Sequence, residues 1–200
     1  YVLDLNERKS LVRHLVAQGW TVFVVSWRNA TPAIGDVRFD DYLTEGVNEA
    51  IEVARGICGV PQVHAAGYCL GGTALAAWMA WANRRHARAQ DVPVAHWTLL
   101  TTLLDFSRPG GIEVFLDESS VALIERMMAA RGYLDGREMA NAFRMLRPNS
   151  LIWHYVVHGY LCGEKPPAFD VLYWNTDSTR ILCSLALWGD SNRSSDADAM

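Results

Sequence analysis

The sequence predicts an α/β fold with a mostly parallel sheet. Strand-like and helix-like segments alternate through the first half of the chain, and a glycine-rich turn joins one strand pattern directly to a helix pattern. Residues 20–27 read WTVFVVSW, a nearly continuous apolar run of the kind expected for a strand buried on both faces. Such alternation is typical of a parallel sheet with crossover helices.

The individual elements follow from periodicity and from start and stop signals. The first helix has apolar residues on one face between Leu11 and Val16 and a stop at Gly19. The second begins at Asp40 or Asp41, and its apolar stripe comprises Val47, Ala50, Ile51, Ala54 and Ile57. The predicted elements in chain order are therefore a strand at 1–5, a helix ending at 19, a strand at 20–27, a helix from 40–41 to 57, a strand at 62–67, a helix at 71–86 and a strand at 97–102.

After Asp105 this alternation stops. Pro and Gly residues interrupt helix-like stretches over 106–180, and no further alternation of strands with helices is visible. We therefore divide the chain into a partial α/β core at 1–105, which carries the glycine-rich turn, and an inserted, largely helical cap at 106–188. Residues 189–200 are polar and rich in Ser and Asp, so we expect them to form a disordered tail.

Composition excludes several classes of protein. The chain has 200 residues, 50% hydrophobic and 20% charged, which is typical of a globular domain rather than a disordered or fibrous chain. No apolar run reaches the roughly 18 residues of a membrane-spanning helix, and no secretory signal is visible at the start. A net charge of −4 without a Lys/Arg-rich stripe argues against nucleic acid as a partner. The four cysteines are scattered without C-x-x-C spacing, so we expect no zinc site and a reducing, cytoplasmic location.

The strongest local motif is Gly67-Tyr68-Cys69-Leu70-Gly71, followed by Gly72. It has the G-x-nucleophile-x-G pattern of a nucleophile elbow, and it lies between a predicted strand and a predicted helix, as that turn requires. Cys69 is then the nucleophile, and the backbone N–H of Leu70 points at the oxyanion that develops during acyl transfer. The flanking glycines are expected to be required sterically because the turn is tight. A second oxyanion donor would come from the loop around residues 5 and 6.

A cysteine nucleophile suits a thioester substrate. A helix N-terminus favours the thiolate, which is the reactive form of the side chain. Exchange between a thiol and a thioester is nearly balanced in free energy, so an acyl group on Cys69 stays reactive toward the next nucleophile. The other cysteines, Cys58, Cys162 and Cys183, lack this setting and are expected to be inert.

The general base and the acid are harder to find. In enzymes with this elbow the order along the chain is nucleophile, acid, histidine, but no histidine after Cys69 follows a strand. His154 and His158 lie four apart on one helical face, and without a third ligand nearby we predict no metal site. We expect Asp105 and Trp174 to line the pocket. Three further acids, Asp117, Asp170 and Asp177, fall in the predicted cap. The catalytic acid and base are most simply explained as lying outside this chain.

The sequence resembles the catalytic domain of class I poly(3-hydroxyalkanoate) synthases, the polyhydroxybutyrate polymerases. The resemblance covers about residues 1–180 and rests on several blocks that occur in the family's order. These blocks are VSWRN at 25–29, GYCLGGT at 67–73, TTLLDF at 101–106, LRPN at 146–149 and YWNTDST at 173–179. The residues after 179 depart from the family pattern, which suggests an internal fragment of the catalytic domain that is inactive by itself.

The resemblance implies an α/β-hydrolase core with a mobile cap and a Cys–His–Asp triad, of which Cys69 matches the nucleophile. It implies an acyltransferase that polymerises (R)-3-hydroxyacyl-CoA through a Cys-bound thioester and releases CoA. CoA enters as part of the substrate, and no cofactor is expected. Family members form homodimers at the surface of growing polyester granules in the cytoplasm, and they are not transmembrane proteins.

Two other functions remain open from the sequence. One is a Cys-dependent hydrolase that resembles dienelactone hydrolase, which would require a complete triad such as Cys69 with Asp117 and His154. The other is a non-catalytic module for granule binding or dimerisation, which fits a chain that lacks an acid and a base. Consumption of an acyl-CoA with release of CoA would indicate the acyltransferase, whereas hydrolysis of a small lactone would indicate the hydrolase.

Overall fold

The computed structural model describes residues 1–107, 117–129, 131–138, 140–141, 149–165, 174 and 180–182. The strands are β1 (Asp4–Asn6), β2 (Lys9–Ser10), β3 (Val63–Tyr68), β4 (Val94–Leu100), β5 (Tyr133–Leu134) and β6 (Ile181–Leu182). The α-helices are α1 (Leu11–Ala17), α2 (Phe39–Asp41), α3 (Glu49–Cys58), α4 (Leu70–Arg85) and α5 (Glu118–Ala129). Short 3-10 turns occur at Pro32–Ile34 and Ala89–Asp91, and π-helical segments at Tyr42–Asn48, Asn149–Trp153 and Val156–Leu161.

The chain divides into two compact units. One contains residues 1–32 with 133–181, and the other contains residues 33–132 with 182–200. The boundary that we predict between a core and a cap at residue 105 stays a prediction. The predicted tail at 189–200 and most of the blocks at 146–149 and 173–179 lie outside the described residues.

The first unit begins with a small hairpin and a capped helix. β1 pairs antiparallel with β2, and the Asn6 Oδ1 atom accepts hydrogen bonds from the N–H groups of Arg8 and Lys9 in the turn. The strand that we predict at 1–5 therefore starts later, at Asp4. The Ser10 hydroxyl oxygen caps α1 by accepting from the Arg13 N–H at 2.8 Å, and Gly19 follows the helix with φ 88°, which confirms the predicted stop.

The predicted strand at 20–27 is wrong. The structure assigns no strand to these residues, and most of their large apolar side chains are exposed, with Val24 at 61% and Trp20 at 53%. β-branched and aromatic composition only favours a pleated, half-buried surface, and a strand forms when a neighbouring strand supplies its hydrogen bonds. The composition of the run was therefore not sufficient for a strand.

The helix predicted from residue 40 is present as α2, a π-helical segment and α3 in succession. Asp41 lies inside the first turn of α2, and its Oδ2 atom caps the start of the helix by accepting a hydrogen bond from the N–H of Arg38 at 2.7 Å. Ile51 and Ala54 are buried as the apolar stripe predicts, whereas Ile57 is 68% exposed. Ile57 lies in the last turn, and Gly59 with φ 66° ends the helix just beyond it.

β3, α4 and β4 form a βαβ unit, so the structure is mixed α/β with a small parallel sheet. β3 pairs parallel with β4, and the register runs from Val63 opposite Val94 to Tyr68 opposite Leu100. α4 packs Trp78 and Ala82, both 0% exposed, into the main apolar cluster. That cluster comprises Ile51, Leu75, Trp78, Met79, Ala82, Val92 and Val94. In the described part of the chain, no helix is long and apolar enough to cross a membrane.

Candidate active site

Cys69 lies in the turn between the end of β3 and the start of α4. Its backbone has φ 53° and ψ −124°, a conformation that residues other than glycine rarely adopt. The side chain is exposed, as are its neighbours Tyr68 at 41% and Leu70 at 39%. Strain of this kind is found where the surrounding structure enforces it, and it clusters at functional sites.

Backbone hydrogen bonds fix the turn on both sides. The Cys69 N–H donates to the Leu100 carbonyl at 2.9 Å, which continues the pairing of β3 with β4 by one residue. The Cys69 carbonyl accepts from the N–H groups of Gly72 at 2.9 Å and Thr73 at 3.3 Å. Within the described residues, the N–H groups of Leu70 and Gly71 have no acceptor. Two donors of the first helical turn are therefore available beside the thiol.

Two of the three glycines leave no room for a side chain: Gly67 lies against backbone atoms and Gly72 lies against the Thr102 side chain. A Cβ at Gly67 would meet the Gly71 carbonyl oxygen and the Gly72 nitrogen at 2.8 Å, and a Cβ at Gly72 would meet the Cβ and Cγ2 of Thr102 at 2.8 Å. The steric requirement that we predict for Gly71 is wrong, because nothing lies within 4 Å of a Cβ built there. Gly71 faces open space, and the close approach is made by its neighbour.

The loop after β4 completes the local structure. Thr101 has φ 47°, and the Thr102 side chain lies against Gly72. The Thr73 hydroxyl donates to the Leu103 carbonyl at 2.8 Å, and Thr73 is 5% exposed. Our sequence reasoning missed these threonines. The repeat Thr101-Thr102 at the end of a strand was the only visible signal, and it does not indicate which residue of α4 the loop contacts.

No histidine of this unit can reach Cys69. His64 is the second residue of β3, five positions before Cys69, which at about 3.3 Å per residue is about 16 Å away. His96 pairs with His64 in the register, with the two rings stacked at 5.1 Å. His86 ends the 16-residue helix α4, which at 1.5 Å per residue places it roughly 24 Å from the N-terminus. The three histidines of this unit therefore lie beyond hydrogen-bond reach of Cys69.

The other sequence-derived candidates have separate local roles. Asp105 lies in the loop after β4, on the Cys69 side of the sheet, and its Oδ1 accepts from the Ser107 N–H at 2.9 Å. Trp174 is partly buried and belongs to the other unit. The possible second oxyanion donor around residues 5 and 6 lies in that unit too, within or next to β1.

Asp117 and His154, the acid and base of the alternative triad, are already engaged. Asp117 caps α5: its carboxylate accepts from the hydroxyls and N–H groups of Ser119 and Ser120. The hydrogen bonds from Ser119 and then Ser120 hold the pKa of Asp117 well below its usual range. The His154 ring packs against Tyr155 and against His158, whose Nδ1 lies 3.0 Å from the Glu164 Oε2. Over the described ranges, no group of three or more His, Cys, Asp or Glu side chains is arranged to hold a metal ion.

An exposed side chain on a strained residue, between a parallel strand and a helix with free N–H groups, has the geometry of a nucleophile elbow. This turn carries the attacking residue in enzymes of acyl transfer and ester hydrolysis. Cys58 and Cys162 are also exposed thiols, but neither lies in such a turn, and Cys183 is outside the described residues.

Comparison with known proteins specifies the family. The chain is 49% identical over 185 residues to a poly(3-hydroxyalkanoate) polymerase of Methylorubrum extorquens, across 90% of this chain and 29% of that protein. It is 45% identical over 186 residues to the polymerase subunit PhaC of Cupriavidus necator, across 90% of this chain and 31% of the relative. A polymerase of Ectopseudomonas oleovorans is 38% identical across 95% of this chain and 33% of its own length. No family model matches the chain.

The family that the motifs indicate is therefore confirmed. Along 90% of its length the chain is homologous to poly(3-hydroxyalkanoate) polymerases, and it belongs with them as one segment of that family's sequence. It spans less than a third of the length of these relatives.

Proposed function

We propose that this chain is the nucleophile-bearing segment of an acyltransferase with an α/β-hydrolase fold, which polymerises (R)-3-hydroxyacyl groups taken from CoA thioesters. The observation that carries the proposal is the conformation of Cys69, exposed at φ 53° between β3 and α4. The names of the relatives support the substrate and product classes. The family resemblance supports a homodimer at the surface of cytoplasmic storage granules.

The chemistry proceeds in two transfers. The Cys69 thiolate attacks the carbonyl carbon of the acyl-CoA thioester, and the N–H of Leu70 donates to the resulting oxyanion. The bond from that carbon to the CoA sulfur breaks, so CoA leaves as a thiolate and takes up a proton. The hydroxyl of a second hydroxyacyl chain then attacks the thioester on Cys69, loses its proton to a base, and releases the Cys69 thiolate as the ester forms.

The base for the second transfer comes from outside the unit formed by residues 33–132. His64 and His86 lie about 16 and 24 Å from the thiol along their own elements, beyond the 2.6–3.2 Å that proton transfer requires, and His96 lies beside His64. A thiolate alone accepts one acyl group, while turnover requires the base to activate the incoming hydroxyl. In the other unit of the chain, His158 is paired with Glu164 and the His154 ring packs against His158, and the sequence is most simply explained by a catalytic acid and base outside this chain. We therefore expect the 200-residue chain to be acylated once without sustained turnover.

The proposal is tested by incubating the chain with (R)-3-hydroxybutyryl-CoA and measuring released CoA and the intact mass. We expect one equivalent of CoA and one hydroxybutyryl group, which peptide mapping places on Cys69. Cys69→Ala should give neither, whereas the matched variants Cys58→Ala and Cys162→Ala should behave as the unmodified chain does.

Three results would count against parts of this proposal. Acylation spread equally over the cysteines would refute Cys69 as the nucleophile. Release of many equivalents of CoA would show that the chain contains its own base. Hydrolysis of a small lactone in the absence of CoA would favour the dienelactone hydrolase-like function instead.

A further inference from the structure

Two strained residues lie side by side at the ends of the parallel strands. Tyr68 and Leu100 are register partners, and the residues that directly follow them are Cys69 with φ 53° and Thr101 with φ 47°. These two are the positive-φ residues other than glycine in the described part of the chain. A β-branched residue in this region is a clear outlier, so something must hold Thr101 there.

Three contacts join the strained turn after β4 to the nucleophile turn. The Cys69 N–H donates to the Leu100 carbonyl at 2.9 Å, and the Thr102 side chain lies against the Cα of Gly72. The third contact is the hydrogen bond of 2.8 Å from the Thr73 hydroxyl to the Leu103 carbonyl. The three contacts thus join the end of β4 and the loop after it, at positions 100, 102 and 103, to the N-cap and first turn of α4, at positions 69, 72 and 73.

We propose that Thr73 is a positioning residue of the nucleophile turn, which acts by holding the Thr101–Leu103 turn against α4. Its side chain is 5% exposed, so its hydroxyl has the Leu103 carbonyl as a fixed partner in place of water. The Thr73 N–H also donates to the Cys69 carbonyl at 3.3 Å. One residue thus bonds both the turn that carries the thiol and the loop after β4.

The hydroxyl rather than the shape of Thr73 carries this role. Without the hydroxyl, nothing at position 73 holds the Leu103 carbonyl, and Thr101 can relax toward negative φ by moving the loop. That movement takes Thr102 away from Gly72 and loosens the Leu100 carbonyl to which Cys69 is bonded. The effect on the thiol is indirect, since Thr73 does not touch the reacting atoms. The inference rests on the proposed function of Cys69 for its consequence, though not for its geometry.

The test compares Thr73→Val, which removes the hydroxyl, with Thr73→Ser, which keeps it. Thr44→Val is the matched control, because the exposed Thr44 hydroxyl also donates to a backbone carbonyl, that of Asp40, at 3.0 Å. In each 200-residue chain, the alkylation of Cys69 by iodoacetamide is measured across pH by peptide mass spectrometry, with Cys58 as an ordinary exposed thiol for reference. Amide exchange at Cys69 and the melting temperature are measured on the same samples.

We expect Thr73→Val to lower the Cys69 rate by about fivefold, the factor that corresponds to the net contribution of one intramolecular hydrogen bond, and to speed exchange of the Cys69 amide. Thr73→Ser should keep the original Cys69 rate and pH profile, even where the lost methyl group lowers the melting temperature. Thr44→Val should change neither the Cys69 rate nor the exchange of the Cys69 amide. A folded Thr73→Val with an unchanged Cys69 rate and amide exchange overturns the proposal. If Thr73→Val does not fold, a folded Thr73→Ser with a reduced rate overturns it, and one with the original rate supports it.

Failure of the proposed function gives a different result. In that case Cys69 reacts no faster than Cys58 in the unmodified chain, before any variant is compared. The positioning role is then decided by amide exchange at Cys69 alone, which should still rise in Thr73→Val and stay unchanged in Thr44→Val.

Discussion

Replacing Gly72 by alanine tests the packing of the nucleophile turn most directly. The new methyl group would meet the Cβ and Cγ2 of Thr102 at 2.8 Å, and it would lie closer still to the Oγ1 atom. Rotation about the Thr102 side-chain bond can move Oγ1 and Cγ2 away but leaves Cβ in place. The loop after β4 must therefore shift, and that shift strains the turn that carries Cys69.

The size of the effect follows from two opposing contributions. Overpacking a tight site costs typically 1–3 kcal/mol, and the fixed Cβ contact of Thr102 places this site at about 2–3 kcal/mol. Alanine is favoured over glycine within a helix by roughly 1 kcal/mol. Gly71→Ala should show only that gain, because nothing lies within 4 Å of its new Cβ. The two adjacent variants should therefore differ by the overpacking cost, about 5–10 °C in melting temperature for a chain of this length.

Chemical denaturation and thermal melting of the two variants give the measurement. Thr102→Ala removes Oγ1 and Cγ2 but keeps the Cβ at 2.8 Å, so it should restore part of the stability of Gly72→Ala. The reactivity of Cys69 should fall in Gly72→Ala and persist in Gly71→Ala. Equal stability of the two alanine variants would refute the close approach of α4 to the β4 exit loop.

Three further predictions concern other parts of the chain. Cys69→Gly should be more stable than Cys69→Ala by about 1 kcal/mol, measured by denaturation, while both lose acylation. Hydrogen exchange followed by mass spectrometry should be slow in β3, α4 and β4 and faster in residues 20–27, and strong protection along that whole run would contradict the absence of a strand there. Because hydrogen bonds from Ser119 and Ser120 lower the pKa of Asp117, its cap on α5 should be complete above the ordinary carboxyl pKa of about 3.9, weaken below that pH and be lost as the pH falls through the lowered pKa of the folded chain. The measurement is the protection factor of the first turn of α5, corrected for the intrinsic pH dependence of amide exchange, and in Asp117→Ala it should not change over this pH range.

The sequence was sufficient for the features that depend on neighbouring residues. The elbow, the stop at Gly19 and the positions of β3, α4 and β4 follow from periodicity and turn residues within a few positions of each feature. Cys69 was identifiable because the motif and its strand–helix setting are both local. The family blocks at 25–29 and 101–106 were equally easy to recognise, because short sequence motifs that occur in a family's order indicate homology without any knowledge of the fold.

Features that depend on distant residues were not predictable. The strand at 20–27 required a pairing partner that composition does not reveal. The choice between Gly71 and Gly72 as the sterically required glycine depends on Thr102, and the bond from Thr73 reaches a carbonyl 30 residues away. Both are decided by where the loop after β4 lies on α4, a question of tertiary packing that the motif alone leaves open.

The comparison of Cys69→Gly with Cys69→Ala separates a strained functional residue from an accidental turn. Alanine keeps the cost of holding a side chain at φ 53°, which is about 1–3 kcal/mol, while glycine removes it and loses roughly 1 kcal/mol to the greater freedom of the unfolded chain. If the free energy of unfolding is higher for Cys69→Gly than for Cys69→Ala, a side chain at position 69 costs stability, which is expected where the thiol performs chemistry. If glycine is instead less stable than alanine by roughly 1 kcal/mol, no strain offsets the greater freedom of the unfolded chain. The backbone at position 69 is then relaxed, and the turn does not hold its side chain in the way that an elbow must.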